Sequence, residues 1–173
     1  HLLKNYIDPV GGTLPDGMVG TVLPLLIIEL LKRGRKIVVF TLDKKITHPV
    51  TIQGNLIKLC INPSRQNHRA RDFFALERKF LLNSMQEERI DVLHAHWTYE
   101  FALAALDSGI PTLVTAHDAP LKILQYNKTP YQIMRTLMAF AAIKKTKNMT
   151  AVSPYVSLHL KNVFGYKRDI TII

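Results

Sequence analysis

Residues 91–118 read DVLHAHWTYEFALAALDSGIPTLVTAHD, and the fold follows from how this stretch divides. DVLHA and TLVTA are short runs of β-branched and large apolar residues, and the Ala/Leu-rich segment between them, Tyr99 to Leu106, is helical in character. A strand, a helix and a second strand in so little chain predict a βαβ unit with parallel strands. Ligands of open parallel sheets collect outside the carboxyl ends of the strands. Two polar clusters fall there, His94-Ala95-His96-Trp97 after the first strand and His117-Asp118 after the second. Thr98 is placed to cap the helix and Glu100 to occupy its first turn, so the loop at His96 and Trp97 should lie beside backbone N–H groups that favour anions.

The surrounding composition suits one globular domain spanning residues 1–173. Of 173 residues, 47% are hydrophobic and 21% charged, enough for a sizeable core. The longest apolar run, Val22 to Leu31, is interrupted by Glu29 and falls short of the ~20 residues needed to span a bilayer. No basic-then-apolar leader opens the sequence, and Cys60 stands alone, so a cytoplasmic setting is expected. A formal charge of +10 implies acidic partners: nucleic acid, anionic lipid or phosphorylated metabolites. No zinc-ligand spacing, RNP-like aromatic strand or basic run interleaved with aromatics supports the first, so no nucleic-acid partner is expected.

Strand and helix alternate from the N-terminus. His1 to Tyr6 reads as the end of a first strand lacking residues upstream, and DPVGGTLPDGMVG, residues 8–20, as a Gly/Pro-rich loop. Val19, Val22, Leu23, Leu26, Ile27, Leu30 and Leu31 then recur at helical spacing up to Lys32-Arg33-Gly34, a cationic last turn with a glycine stop. Pro24 requires that this helix start near Leu23 or bend there. Lys36 to Leu42 is continuously apolar, as in a strand buried on both faces, and Asn55 to Ile61 is a third strand. Asp72 to Glu88 is expected to be an amphipathic helix carrying Phe73, Leu76, Phe80 and Met85 near one face. Beyond the central unit come a helix from Tyr131 to Lys145, a strand from Met149 to Val152, and a helix opened by Ser153-Pro154 and stopped by Gly165. A strand begins at Ile170. The expected class is α/β, a Rossmann-like parallel sheet with helices on both faces.

The glycine-rich first loop, the helix ending KRG before IVVFT, and the motifs DVLHAHW, GIPTLVTAHD and AVSP together resemble the N-terminal domain of the family-four retaining glycosyltransferases. The resemblance covers nearly the whole chain. It implies the GT-B architecture, in which two Rossmann-like domains face across a cleft. The N-terminal domain holds a glycan, lipid-linked or small-molecule acceptor, and the chain's own C-terminal domain, which this sequence does not include, binds a nucleotide sugar. The resemblance further implies that the glycine loop approaches the donor diphosphate and that the histidine closing the T-x-H strand, His117, lies at the reacting sugar. Gly11-Gly12 is separated from the first helix by Thr13 to Gly17, so Gly11, Gly12 and Gly17 are all candidates for phosphate contact. Without the donor half, this fragment is expected to be inactive.

The residue types suit the chemistry. Breaking the bond from an anomeric carbon to a diphosphate develops positive charge on the sugar and negative charge on the leaving group. A neutral His117 could orient a sugar hydroxyl, while Asp118 and Glu100 are the carboxylates available in these loops as a base. His96, Trp97 and Glu100 are the candidate acceptor contacts, Trp97 as a flat platform. His94 and His96 share a strand face, yet no Cys or carboxylate stands at ligand spacing, so neither a metal nor a cofactor is expected beyond the nucleotide-sugar co-substrate. The competing reading is a non-catalytic nucleotide-binding module with structural histidines, or a basic docking domain. The helix from Tyr131 to Lys145 has basic borders, with Arg135, Lys144, Lys145 and Lys147, and Arg65, Arg69 and Arg71 precede another amphipathic helix. Together with the lipid-linked acceptors that the resemblance implies, these predict peripheral association with an anionic membrane on its cytoplasmic face.

Overall fold

The computed structural model describes residues 22–173, which divide into two compact units with a boundary between Ser64 and Arg65. The predicted first strand and the glycine loop, with Gly11, Gly12 and Gly17, lie outside the described residues.

In the first unit, helix α1 (Val22–Lys32) is followed by strands β1 (Ile37–Asp43), β2 (Val50–Gln53) and β3 (Ile57–Pro63). Pro24 sits in the first turn of α1, where its missing N–H has no intrahelical acceptor to lose. Gly34 closes the helix at φ 68°, a left-handed conformation that glycine adopts without a Cβ clash. β3 is the middle strand, parallel to β1 with Ile37 opposite Ile57, and antiparallel to β2. Ile27 and Leu31 of α1 pack with Ile57, Leu59 and Ile61. Two expectations are corrected here. β2 was not legible, because its four residues alternate half-buried and exposed at a sheet edge. β1, predicted to be buried on both faces, is half-buried along its length, because among the described residues it pairs with β3 alone.

The second unit runs α2 (Ala75–Gln86), β4 (Leu93–His96), α3 (Glu100–Asp107), β5 (Thr112–Ala116), α4 (Pro120–Tyr126), α5 (Pro130–Lys145), β6 (Asn148–Ala151), α6 (Pro154–Phe164) and β7 (Ile170–Ile172). The four strands are parallel in the order β4-β5-β6-β7. Parallel neighbours in chain order need a crossover between each pair, and α3, then α4 with α5, then α6 supply them. α3 packs between α2 and α5, and its alanines 102, 104 and 105 are buried, so the backbones can approach closely. Ser153 Oγ accepts from Val156 N ahead of Pro154, and Gly165 ends α6 at φ 67°. Thr129 caps α5 in the same way, accepting from Gln132 N ahead of Pro130. The parallel sheet, the crossover helices and the strand–helix alternation make the chain α/β and Rossmann-like.

α2 differs from its predicted start and face. Phe73 and Phe74 both take left-handed backbone conformations, φ 55° and 57°, so the helix cannot begin at Asp72. The buried face is Phe74, Glu77, Leu81 and Met85, while Phe73 and Leu76 are exposed. Burying Glu77 in place of an apolar residue is possible because Arg65 meets it. Arg65 donates from its backbone N at 2.9 Å and from Nε at 3.1 Å to Oε1, and its Nη2 lies 2.6 Å from Oε2. The same guanidinium holds Asp72 through both carboxylate oxygens at 2.8 Å. Burial alone would raise the Glu77 carboxyl, but the Arg65 hydrogen bonds outweigh it and hold the group below the usual carboxylate range.

Candidate functional site

The parallel register of β4 and β5 sets His96 opposite Thr115 and brings both polar clusters to the carboxyl edge of the sheet. Trp97 N donates to Thr115 O at 2.9 Å, extending the ladder by one residue before the chain turns away. The turn is made at Trp97 itself, at φ 63°. A bulky residue in this region is strained, and the position persists only where its surroundings over-determine it. The indole stacks on the His117 ring, with centroids 4.6 Å apart, while the backbone bond to Thr115 fixes the other side.

Behind this pair the histidines form a layered cluster. His96 is buried, and its Nδ1 shares a 2.8 Å hydrogen bond with Nε2 of His117. The His94 ring lies tilted against His96 with centroids 4.2 Å apart and shares a 2.6 Å hydrogen bond with Thr115 Oγ1, which lies 2.7 Å from Thr150 Oγ1 on β6. Burial, with the neighbouring His94 and His117, pushes His96 down to about 3. Burial also lowers His117, against the pull of Asp118 in the other direction. Both rings are therefore neutral near pH 7, and in a bond between two neutral imidazoles one nitrogen must donate and the other accept. Among the described residues, no group of three His, Cys, Asp or Glu side chains is arranged to hold a metal ion.

Asp118 points into a second cluster. Tyr99, almost fully buried, donates from its hydroxyl to Asp118 Oδ2 at 2.9 Å, and the Arg135 guanidinium lies over the Tyr99 ring at 3.5 Å from its centroid. Arg135 also approaches Glu100 Oε2 at 3.7 Å and donates to the Tyr131 hydroxyl at 3.3 Å. Burial raises the Asp118 carboxyl, and the Tyr99 hydrogen bond, the Arg135 cation and the neighbouring His117 and His159 rings only partly offset this. Tyr99 is raised by burial and by Asp118. His159, buried on α6, is lowered by burial and by Lys122. Asp118 Oδ1, Thr98 Oγ1, Glu100 Oε2 and His159 Nε2 are buried with no hydrogen-bond partner among the described residues. All four belong to loops and helices that leave the carboxyl ends of β4, β5 and β6, so unused hydrogen-bonding capacity concentrates on that side of the sheet.

Residues 19–173 match the model of Glycosyltransferase Family 4. The chain belongs to that family. No curated protein matches it. Of the site residues expected in this family 4 domain, His96, Trp97 and His117 touch one another, and Asp118 and Glu100 are linked through Tyr99 and Arg135. Thr98 does not cap α3: Tyr99 holds the cap position without a side-chain bond, and the Thr98 hydroxyl is buried. Tyr99, Arg135 and His159 were not foreseen as members of the site. The available signal for Arg135 is its position, a lone cation in the apolar middle of α5 that must be either exposed or paired.

Proposed function

We propose that this domain is the acceptor-side half of a retaining glycosyltransferase, moving a sugar from a nucleotide-sugar donor to a glycan, lipid-linked or small-molecule hydroxyl. What supports the reading is His117. It stands at the carboxyl end of β5 as a neutral imidazole, held from behind by His96 and from the side by Trp97. A ring so fixed offers its remaining nitrogen to a sugar hydroxyl without reorganising as charge develops in the transition state. Asp118 carries a raised carboxyl with one oxygen held by Tyr99 and one free to accept from a hydroxyl. Glu100 and Trp97 border the same edge and are assigned to the acceptor, whereas His96 acts through His117. The donor is assigned to a second Rossmann-like domain, its diphosphate meeting the loop that contains Gly11, Gly12 and Gly17.

The test is His117→Ala in the two-domain enzyme, with turnover, thermal midpoint and the anomeric configuration of the product measured together. The expected result is a fall in turnover of about 10²-fold with a midpoint lowered by only a few degrees, from the lost Trp97 stack and His96 bond, and a wild-type product that retains the donor's configuration. Unchanged turnover would remove His117 from the reaction, and an inverted product would remove the retaining mechanism.

A further inference from the structure

The positive charge of this protein is not spread over the chain. From Ala119 to Arg168 the sequence contains no Asp or Glu and nine Lys or Arg, while the remaining residues hold fourteen cations and thirteen acids. Almost the entire net charge of +10 therefore belongs to the stretch that forms α4, α5, β6 and α6.

α5 has two apolar faces where a helix on a sheet needs one. Met134, Met138, Ala139, Ala142 and Ile143 are buried and account for packing against the domain. Ile133, Leu137 and Phe140 nevertheless stand 49%, 53% and 46% exposed, and their spacing places them in one stripe along the opposite side. Lys144 continues that stripe, its Nζ 5.3 Å from the Phe140 ring centroid. Lys128 precedes the helix and Lys147 follows it, both exposed. Two other cations of the region are engaged elsewhere: Lys145 pairs with Asp107 at 2.7 Å, and Arg135 turns inward to Tyr99 and Glu100. They do not serve as the basic border assigned to them from sequence, and Arg65, held by Glu77 and Asp72, does not either.

We propose that the outer face of α5, the stripe of Ile133, Leu137 and Phe140 bordered by Lys128, Lys144 and Lys147, docks the protein on an anionic lipid surface. A helix lying flat on a bilayer needs this combination, apolar side chains entering the acyl boundary and cations at headgroup level. A nucleic acid would engage the cations but gains nothing from three exposed aliphatic and aromatic side chains among them. A second copy of the chain would bring two uniformly cationic regions together. The proposal concerns where the protein sits and stands apart from the transfer chemistry.

The test is sedimentation of the purified protein with phosphatidylcholine vesicles, with and without phosphatidylglycerol, at low and physiological salt. The expected result is binding to the phosphatidylglycerol vesicles alone, weakened by salt. Ile133→Gln/Leu137→Gln and, separately, Lys128→Gln/Lys144→Gln/Lys147→Gln should each weaken it about tenfold or more. All these residues are exposed, so the thermal midpoint should hold. Should one variant fail to fold, the other and the emission of Phe140→Trp, expected to shift to the blue with anionic vesicles, still decide. The proposal is overturned if no vesicles bind at low salt, if the apolar variant binds as the parent does, or if the Phe140→Trp emission does not move. Equal affinity for duplex DNA, with vesicle binding untouched by the apolar variant, would reduce the face to charge alone and overturn it as well.

Discussion

Nδ1 of His96 lies 2.8 Å from Nε2 of His117, so a buried imidazole at the end of one strand fixes the orientation of an imidazole just beyond the end of the next. His96→Leu fills similar volume but leaves that nitrogen of His117 without its partner. In the two-domain enzyme the expected effect is a loss of turnover of about 10²-fold with little change in the acceptor KM, because the ring is misplaced rather than absent. A change confined to KM would place His96 at the acceptor itself.

The same pair sets an acid limit on stability. His96 is pushed down from 6.5 to about 3 in the folded protein, and His117 is lowered as well. Below pH 6.5 the unfolded chain binds protons that the folded chain refuses, so stability falls as pH drops through the window from 6.5 to about 3, and it is complete above 6.5. Each such histidine contributes a slope of about 1.4 kcal/mol per pH unit within its window. Urea denaturation across pH 5 to 7 should show a shallower slope in His96→Leu, by about one proton. An equal slope in the two proteins would contradict the neutral buried state of His96.

Trp97 separates backbone strain from ring stacking. At φ 63° a residue with a Cβ is disfavoured by about 1–2 kcal/mol, comparable with the ~0.5–1.5 kcal/mol attributed to an aromatic stack. Trp97→Gly relieves the strain and loses the stack on His117, so its stability should stay within about 1 kcal/mol of the parent. Trp97→Ala loses the stack and keeps the strain, so it should be about 1 kcal/mol less stable than Trp97→Gly. Turnover should fall in both. Equal denaturation midpoints for the two variants would show that the backbone is not strained there.

Glu77 is a buried carboxylate held by an arginine twelve residues away. Its side chain is 1% exposed, and truncation would leave the Arg65 backbone N and part of the guanidinium without their acceptor. Breaking a buried pair from one side costs about 3–5 kcal/mol, so Glu77→Ala should lower the urea midpoint sharply. Asp72→Ala removes an exposed partner of the same arginine and should cost no more than about 1 kcal/mol. Similar losses in both would mean that Arg65 acts chiefly through the surface pair.

Local patterns were sufficient for much of this molecule. Apolar spacing marked α1, serine with proline and a later glycine marked α6, and the two runs of residues 91–118 placed His96, Trp97 and His117 at strand ends. Those signals work because helix and strand periods, caps and glycine stops act within a few residues. The tertiary structure decided what the side chains do. Partners that define the site are 21 residues apart for His96 and His117 and 19 for Tyr99 and Asp118, and the register between parallel strands, which no local pattern specifies, sets whether they meet. The face of α2 depended on Arg65 reaching Glu77 and on two left-handed phenylalanines, and the inward turn of Arg135 depended on the Tyr99 ring. Burial of a charge is stable only where its counter-charge is delivered by another part of the chain, so the sequence shows which ionisable residues need partners and only the folded chain chooses them.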